Sequence, residues 1–132
     1  MKQLENKFIP YELSLKLKEL GFNKQCLGYY FDNKKFQIIK EYEVGVFDRN
    51  STTNRYDGYG ERPTAILWQD AFEWFRDNHN LDGNIKPINA EWGYEINNLN
   101  MCYCISVEIG FISHKESQLE CLKKLISIVE KR

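Results

Sequence analysis

The chain has 132 residues and a formal net charge of −1, with 28% charged and 14% aromatic residues. This length is typical of one domain, here residues 1–132, which buries a hydrophobic core without the help of metals or disulfides. The near-neutral charge argues against a binder of duplex nucleic acid, which would carry an excess of basic residues.

The first predicted element is a helix in FIPYELSLKLKELGF. Pro10 suits its first turn, and Leu13, Leu17 and Leu20 recur at helical spacing. Gly21 suits the position just beyond the helix, where the backbone often turns left-handed and the next residue folds back on the last turn. We therefore expect this helix to end at Gly21.

A β-hairpin is predicted next, because the β-rich residues 26–31 and 36–42 flank the polar sequence DNKK. A second helix is predicted in PTAILWQDAFEWFRDNH, with Pro63 and Thr64 at its start and HNLDGN at its end. Its broad apolar stripe is typical of a helix buried against a sheet. The stripe contains Trp68, Ala71, Phe72 and Phe75, with Leu67 and Trp74 at its sides.

Three strands are predicted in IKPI, EWGYEIN and MCYCISVEIG. Apolar and polar residues alternate in the last two, which is the pattern of half-buried antiparallel strands. Trp92, Tyr94 and Ile96 are the apolar set of the middle strand. In the last strand we expect the apolar set to face the core. That set consists of Met101, Tyr103, Ile105, Val107 and Ile109.

The last predicted element is a helix that begins at an S-x-x-E capping box, Ser113 and Glu116. Its apolar stripe consists of Leu119, Leu122, Leu125, Ile126 and Val129. Together the elements predict an α+β fold: an antiparallel sheet with about three helices packed on it in two layers.

The cysteines are Cys26, Cys102, Cys104 and Cys121. The N-terminus lacks the apolar segment of a secretory signal, and no apolar run approaches the length of a membrane span. We therefore expect a cytoplasmic protein that does not enter membranes and keeps its cysteines as small, buried, reduced thiols. No zinc-type spacing is present, and neither a metal nor a cofactor is predicted.

Other candidate groups for chemistry are carboxylates and histidines. Glu91 and Glu95 share one face of a strand, and we expect Glu108 to share a face with Cys102 and Cys104. A paired-carboxylate acid–base site is one interpretation, but a solvated sheet face is the preferred one. The two histidines, His79 and His114, are predicted to be structural. No standard catalytic motif occurs, which favours a protein that is not an enzyme.

Residues 44–63 have no regular pattern, and unstructured segments of this length inside a domain are usually functional or disordered. Arginine binds phosphate or carboxylate in a bidentate manner, and tyrosine stacks on bases. The segment is thus suited to an anionic, ring-bearing molecule. A surface loop or a contact with another subunit is the alternative interpretation. The predicted ligand-binding residues are Arg49, Asn54, Arg55, Tyr56, Tyr59 and Arg62.

The sequences FIPYELSLKLKELGF, AFEWFRDNHNLDGNIKPI and ESQLECLKKLISIVEKR resemble a family of small proteins from phages and prophages of gut Bacteroidota. The resemblance covers most of the chain and departs most at residues 43–62. It implies a phage or prophage setting and a host cytoplasmic location. The family has no settled activity, so the resemblance assigns no catalytic residues.

Three functional hypotheses follow. The first is a phage accessory protein, expected to be a homo-oligomer, that binds a nucleotide-like ligand without catalysis and sequesters a host defence signal. The second is a protein-binding module that inhibits a host factor, because tyrosine, tryptophan and arginine are common interface anchors. The third is a small hydrolase or nuclease that uses Glu91, Glu95 or Glu108.

Overall fold

The computed structural model describes residues 6–22, 28–30, 36–38 and 64–132. Within these residues the chain is an α+β protein, which confirms the predicted fold class. It divides into two compact units, Met1–Trp68 and Gln69–Arg132. The strands form two antiparallel sheets of three strands, in the orders β2-β1-β3 and β4-β5-β6. The single domain predicted for residues 1–132 stays a prediction.

Helix α1 spans Tyr11–Glu19, with Pro10 at its N-cap and Leu20 at its C-cap. Gly21 follows with a positive φ of 104° and donates its N–H to the Lys18 carbonyl at 3.0 Å. Phe22 is buried and donates its N–H to the Leu17 carbonyl at 2.9 Å. This pair of bonds is a Schellman motif, so the predicted glycine stop is confirmed.

Strands β1 (Gly28–Tyr30) and β2 (Phe36–Ile38) pair antiparallel, which confirms the predicted hairpin. Strand β3 (Thr64–Ala65) lies on the other side of β1. The second helix was expected to begin at Pro63 and Thr64, and this start is wrong. The backbone there pairs with distant segments instead, because Ala65 lies opposite Gly28 and the Ile66 carbonyl accepts the Ile9 N–H at 2.8 Å.

Helix α2 spans Trp68–His79, and its residues Ala71, Phe72, Trp74 and Phe75 are buried. Strand β4 (Leu81–Ile88) follows at once, so the sequence LDGN is strand and not the helix-ending turn that was predicted. A Cβ at Gly83 would lie 2.9 Å from the Cys121 Sγ and 3.0 Å from the Phe72 ring. Glycine is needed here for close packing.

Strands β5 (Glu91–Asn98) and β6 (Tyr103–Phe111) complete the second sheet. A two-residue turn joins β4 to β5, and both its residues, Asn89 and Ala90, have positive φ angles of 53° and 66°. This is the sign pattern of a type I′ turn, whose twist matches that of the strands it joins.

Helix α3 spans His114–Glu130, with Ser113 as its N-cap. The Ser113 hydroxyl accepts the Glu116 N–H at 3.1 Å, and the Glu116 carboxylate accepts the Ile112 N–H at 3.2 Å. The predicted cap is therefore present, with the glutamate reaching one residue beyond it. The buried residues of α3 are Ser117, Cys121, Leu122, Leu125 and Ile126.

Candidate functional site

The second sheet has an inner face covered by helices and an outer face. Tyr94 and Ile96 of β5 are buried, and α3 packs mainly over β4 and β5. Residues opposite one another in a sheet point to the same face. Glu108, opposite Tyr94, and Ser106, opposite Ile96, therefore also belong to the inner face.

The apolar residues of β6 lie on the outer face. Val107 is opposite Glu95 and Ile109 is opposite Gly93, and their exposed fractions are 51% and 44%. The expectation that the apolar set of this strand faces the core is wrong for these residues. The physical reason is that α3 covers little of β6, so alternation there does not mark a buried side.

Further apolar side chains are exposed at the two ends of β6. Leu99 and Met101 lie in the turn that precedes the strand, and Met101 is 68% exposed. Ile112 follows the strand and is 90% exposed. We call Val107 and Ile109, which are neighbours on one face, the β6 apolar surface.

On β4 and β5 the outer face is mostly polar, with Ile88 as an exception. On β4 and β5 it presents Lys86 and Glu95, whose charged groups form an ion pair at 2.5 Å. The hydrogen bond from Lys86 lowers the pKa of the Glu95 carboxyl. Since Glu95 lies directly opposite Val107, the polar part of the face meets the β6 apolar surface between β5 and β6.

Two irregularities determine which β6 residues face outward. Ile96 is opposite Ser106 but Asn97 is opposite Cys104, so Ile105 is an extra, bulged residue. This bulge reverses the alternation, and Cys104 lies on the outer face while Glu108 lies on the inner one. The prediction that Glu108 shares a face with Cys104 is therefore wrong.

The second irregularity is at Gly110, which has a φ of 95°. Trp92 is opposite Phe111, whereas Gly93 is opposite Ile109, so Gly110 is the extra residue here. Between the two bulges, Ser106 to Ile109 form a regular run of paired residues.

The three candidate carboxylates lie on two different faces of the sheet. Glu91 and Glu95 share the outer face, as predicted, whereas Glu108 lies on the inner face and accepts a hydrogen bond from the Tyr94 hydroxyl. Burial, followed by this bond to Glu108, raises the pKa of Tyr94. The structure therefore separates Glu108 from the other two carboxylates and keeps Glu91 and Glu95 on one face, as predicted.

The thiols differ from the prediction of buried cysteines. Cys102 and Cys104 are exposed and only Cys121 is buried among the cysteines of the described residues, and all three are free. Burial raises the pKa of the Cys121 thiol to about 12, and the charge of Asp82 adds to this rise. Cys26 lies outside the described residues.

The histidines are in aromatic contacts. His79 packs against Trp74 with ring centroids 4.8 Å apart, and His114 lies edge-on to Trp92 at 5.3 Å. Burial, and then the charge of Arg132, lowers the pKa of His79. In the part of the chain that the structure describes, no group of three or more His, Cys, Asp or Glu residues is placed to hold a metal.

The predicted ligand-binding residues are not tested by this geometry. All of them lie outside the described residues: Arg49, Asn54, Arg55, Tyr56, Tyr59 and Arg62. The β6 apolar surface was missed by the sequence interpretation, because alternation does not tell which face is covered. The useful signal was the sparse charge of β6, which has Glu108 as its charged residue.

No family model, curated protein or solved structure matches the chain. Among the described residues, no helix combines the length and the apolar character needed to cross a bilayer.

Proposed function

We propose that this chain is a binding module that recognises another protein through the β6 apolar surface. The observation that carries the proposal is the exposure of Val107 and Ile109 on the outer face of a sheet. Contiguous exposed apolar side chains with a polar border are typical of interaction sites. The border here is the Lys86–Glu95 ion pair on the neighbouring strands.

The distribution of reactive groups also supports binding over catalysis. Glu108 is engaged by the Tyr94 hydroxyl on one face of the sheet, and Glu95 is engaged by Lys86 on the other. A general acid–base pair needs both groups within reach of one substrate. These glutamates instead hold neighbouring strands together.

Site-specific photo-crosslinking tests the proposal. A photoreactive residue replaces Val107, and the protein is irradiated in an extract of the cells that produce it. We expect a protein adduct that disappears when Ile109→Lys is added, because a charged side chain in an apolar interface has to be desolvated. The matched control carries the photoreactive residue at Lys123, an exposed position on α3. Equal adducts at both positions would contradict the proposal.

A second candidate function is the sequestration of a nucleotide-like ligand by residues 44–63. What supports it is the chemistry of the segment, in which Tyr56 and Tyr59 lie between Arg55 and Arg62. Arg49 and the amide donor of Asn54 precede them. The family resemblance implies a phage or prophage setting and a host cytoplasmic location for this function.

Thermal shift with nucleotides and cyclic nucleotides tests this second function. Ligand at a hundred times its dissociation constant stabilises a protein by about 2.7 kcal/mol. We expect stabilisation by one of these ligands and its loss in the double variant Arg49→Ala, Arg55→Ala. The absence of any shift at millimolar ligand would rule this function out.

A further inference from the structure

The two edges of the second sheet differ in their chemistry. Strand β4 carries Asp82, Lys86 and Pro87, and charge and proline are the usual devices that prevent an edge strand from pairing with another chain. Strand β6 is the other edge among the described residues, and it has nine residues with Glu108 as its charged member. Its carboxylate accepts a hydrogen bond from the Tyr94 hydroxyl on the inner face, and the bulges at Ile105 and Gly110 limit the regular edge to residues 106–109.

We propose that β6 pairs antiparallel with β6 of a second copy of this chain, around a two-fold axis at Val107. This assignment rests on the proposed function, because it names the partner of the β6 apolar surface. The two sheets would then continue into one sheet of six strands, in the order β4-β5-β6-β6-β5-β4. The apolar side chains of both copies meet at its centre.

The register of the proposed β6–β6 pairing follows from the face on which each residue lies and from the charge it carries. Opposite residues must point to the same face, so an outward residue such as Val107 has to meet another outward residue. An axis at Val107 sets Val107 against itself and Glu108 against Ser106 of the second copy. A β-branched pair of this kind stabilises a sheet by roughly 0.2–1 kcal/mol.

The neighbouring registers are less favourable, because they conflict in charge or in the face on which paired residues lie. An axis at Glu108 would place two carboxylates opposite one another, which destabilises the pair. An axis at Ser106 would place Glu108 opposite Cys104, and these residues lie on different faces because of the bulge at Ile105. The axis at Val107 thus keeps face and charge consistent for Ser106, Val107 and Glu108, and it sets Ile109 against the bulged Ile105 of the second copy.

Charge on the whole chain does not oppose this association. A net charge of −1 leaves little long-range repulsion between two copies. The short-range pattern is therefore what decides the pairing.

Disulfide trapping tests the pairing directly. Cys26, Cys102 and Cys104 are replaced by serine, and Val107→Cys is introduced. Mild oxidation should then give a product of twice the monomer mass of 15.7 kDa. The matched control is Asn84→Cys, an exposed position on the β4 edge of the same outer face. The proposal would be overturned if the Val107→Cys variant gave no more crosslinked dimer than the Asn84→Cys variant.

A charge-swap experiment tests the axis. Val107→Lys and Val107→Glu each place like charges opposite one another, and each should weaken self-association by about tenfold or more, as 1.4 kcal/mol of repulsion would. An equimolar mixture should regain the dimer mass in light scattering, because lysine then faces glutamate. A mixture that stays monomeric would show that Val107 does not face itself.

The outcomes separate this inference from the proposed function. A wild-type chain that is monomeric in light scattering, but whose photoreactive position 107 forms an adduct with a different protein, would overturn the dimer and leave the binding function standing. A monomeric chain that also forms no adduct would overturn both.

Discussion

Strands β5 and β6 are neighbours with similar alternating sequences, but in their central parts their apolar residues lie on opposite faces. In β5 the apolar residues Tyr94 and Ile96 lie under helices, whereas in β6 Val107 and Ile109 face outward. The difference shows that alternation specifies which residues share a face, but the position of the covering helix decides which face is buried. Here α3 lies over β4 and β5.

The largest expected effect is the loss of stability when a buried side chain of β5 is truncated. Ile96→Ala should lower the free energy of unfolding by about 2–5 kcal/mol, because it removes buried methyl groups and leaves a cavity. Val107→Ala is the matched change on β6 and should cost no more than about 0.5 kcal/mol. Urea unfolding measures both, in protein dilute enough to dissociate the proposed dimer. Equal costs would mean that β6 is covered as well as β5.

A second test concerns the close contact of the two strands at Gly93. A Cβ there would clash with the Glu108 carbonyl oxygen and lie 2.9 Å from the Ile109 Cγ2. Gly93→Ala should therefore cost about 1–3 kcal/mol, as for other overpacked sites.

The control for this change is Gly21→Ala in α1, where nothing lies within 4 Å of the added Cβ and only the positive φ opposes it. A loss of about 1 kcal/mol is expected at that position. If Gly93→Ala unfolds at the wild-type urea midpoint, the strands are less closely paired than the structure shows.

Tyr94→Phe removes the side-chain hydrogen bond that joins β5 to β6. Bonds to charged groups contribute about 1.5–3 kcal/mol, and we expect the lower value because Glu108 is partly in contact with water. The raised pKa also predicts a pH dependence. The folded protein holds the tyrosine proton more tightly than the unfolded chain, where the tyrosine titrates near 10.0.

This stabilisation is therefore fully present below about pH 10 and is lost as the pH rises above that value. Unfolding curves between pH 8 and 11 should show a steeper alkaline loss in the wild type than in Tyr94→Phe. Parallel pH profiles for the two proteins would contradict the assignment of the bond.

The smallest expected effect is an increase in the stability of the folded protein. Ala90 adopts a left-handed conformation that glycine tolerates better, so Ala90→Gly should raise stability by about 0.5–1 kcal/mol. The effect belongs to the turn that joins β4 to β5 and fixes the register of that pair. A lower melting temperature in Ala90→Gly would show that the turn is not strained.

Local signals in the sequence were sufficient for several features. The stop at Gly21 and the cap at Ser113 depend on a few adjacent residues, and both are found. Long-range pairing was not predictable in the same way. Thr64 and Ala65 are strand because β1 lies beside them, and Gly83 is strand because it pairs with Ile96 of β5. Glycine is required at position 83 because Phe72 and Cys121 leave no room for a side chain.

The candidate site was the least predictable part. The outward turn of Val107 depends on the bulge at Ile105 and on the position of α3, and neither leaves a mark in the alternation of β6. The predicted ligand residues between Arg49 and Arg62 lie outside the described residues, so that hypothesis remains a prediction.

The reactivity of the buried Cys121 thiol can report how often the covered face of the sheet opens. Cys102 and Cys104 are exposed and should react quickly with a thiol reagent, whereas burial keeps Cys121 protonated and shielded. In a chain with serine at the other cysteine positions, labelling of Cys121 reports how often α3 lifts from the sheet. The labelling rate, relative to that of an unprotected thiol, gives the free energy of that local opening.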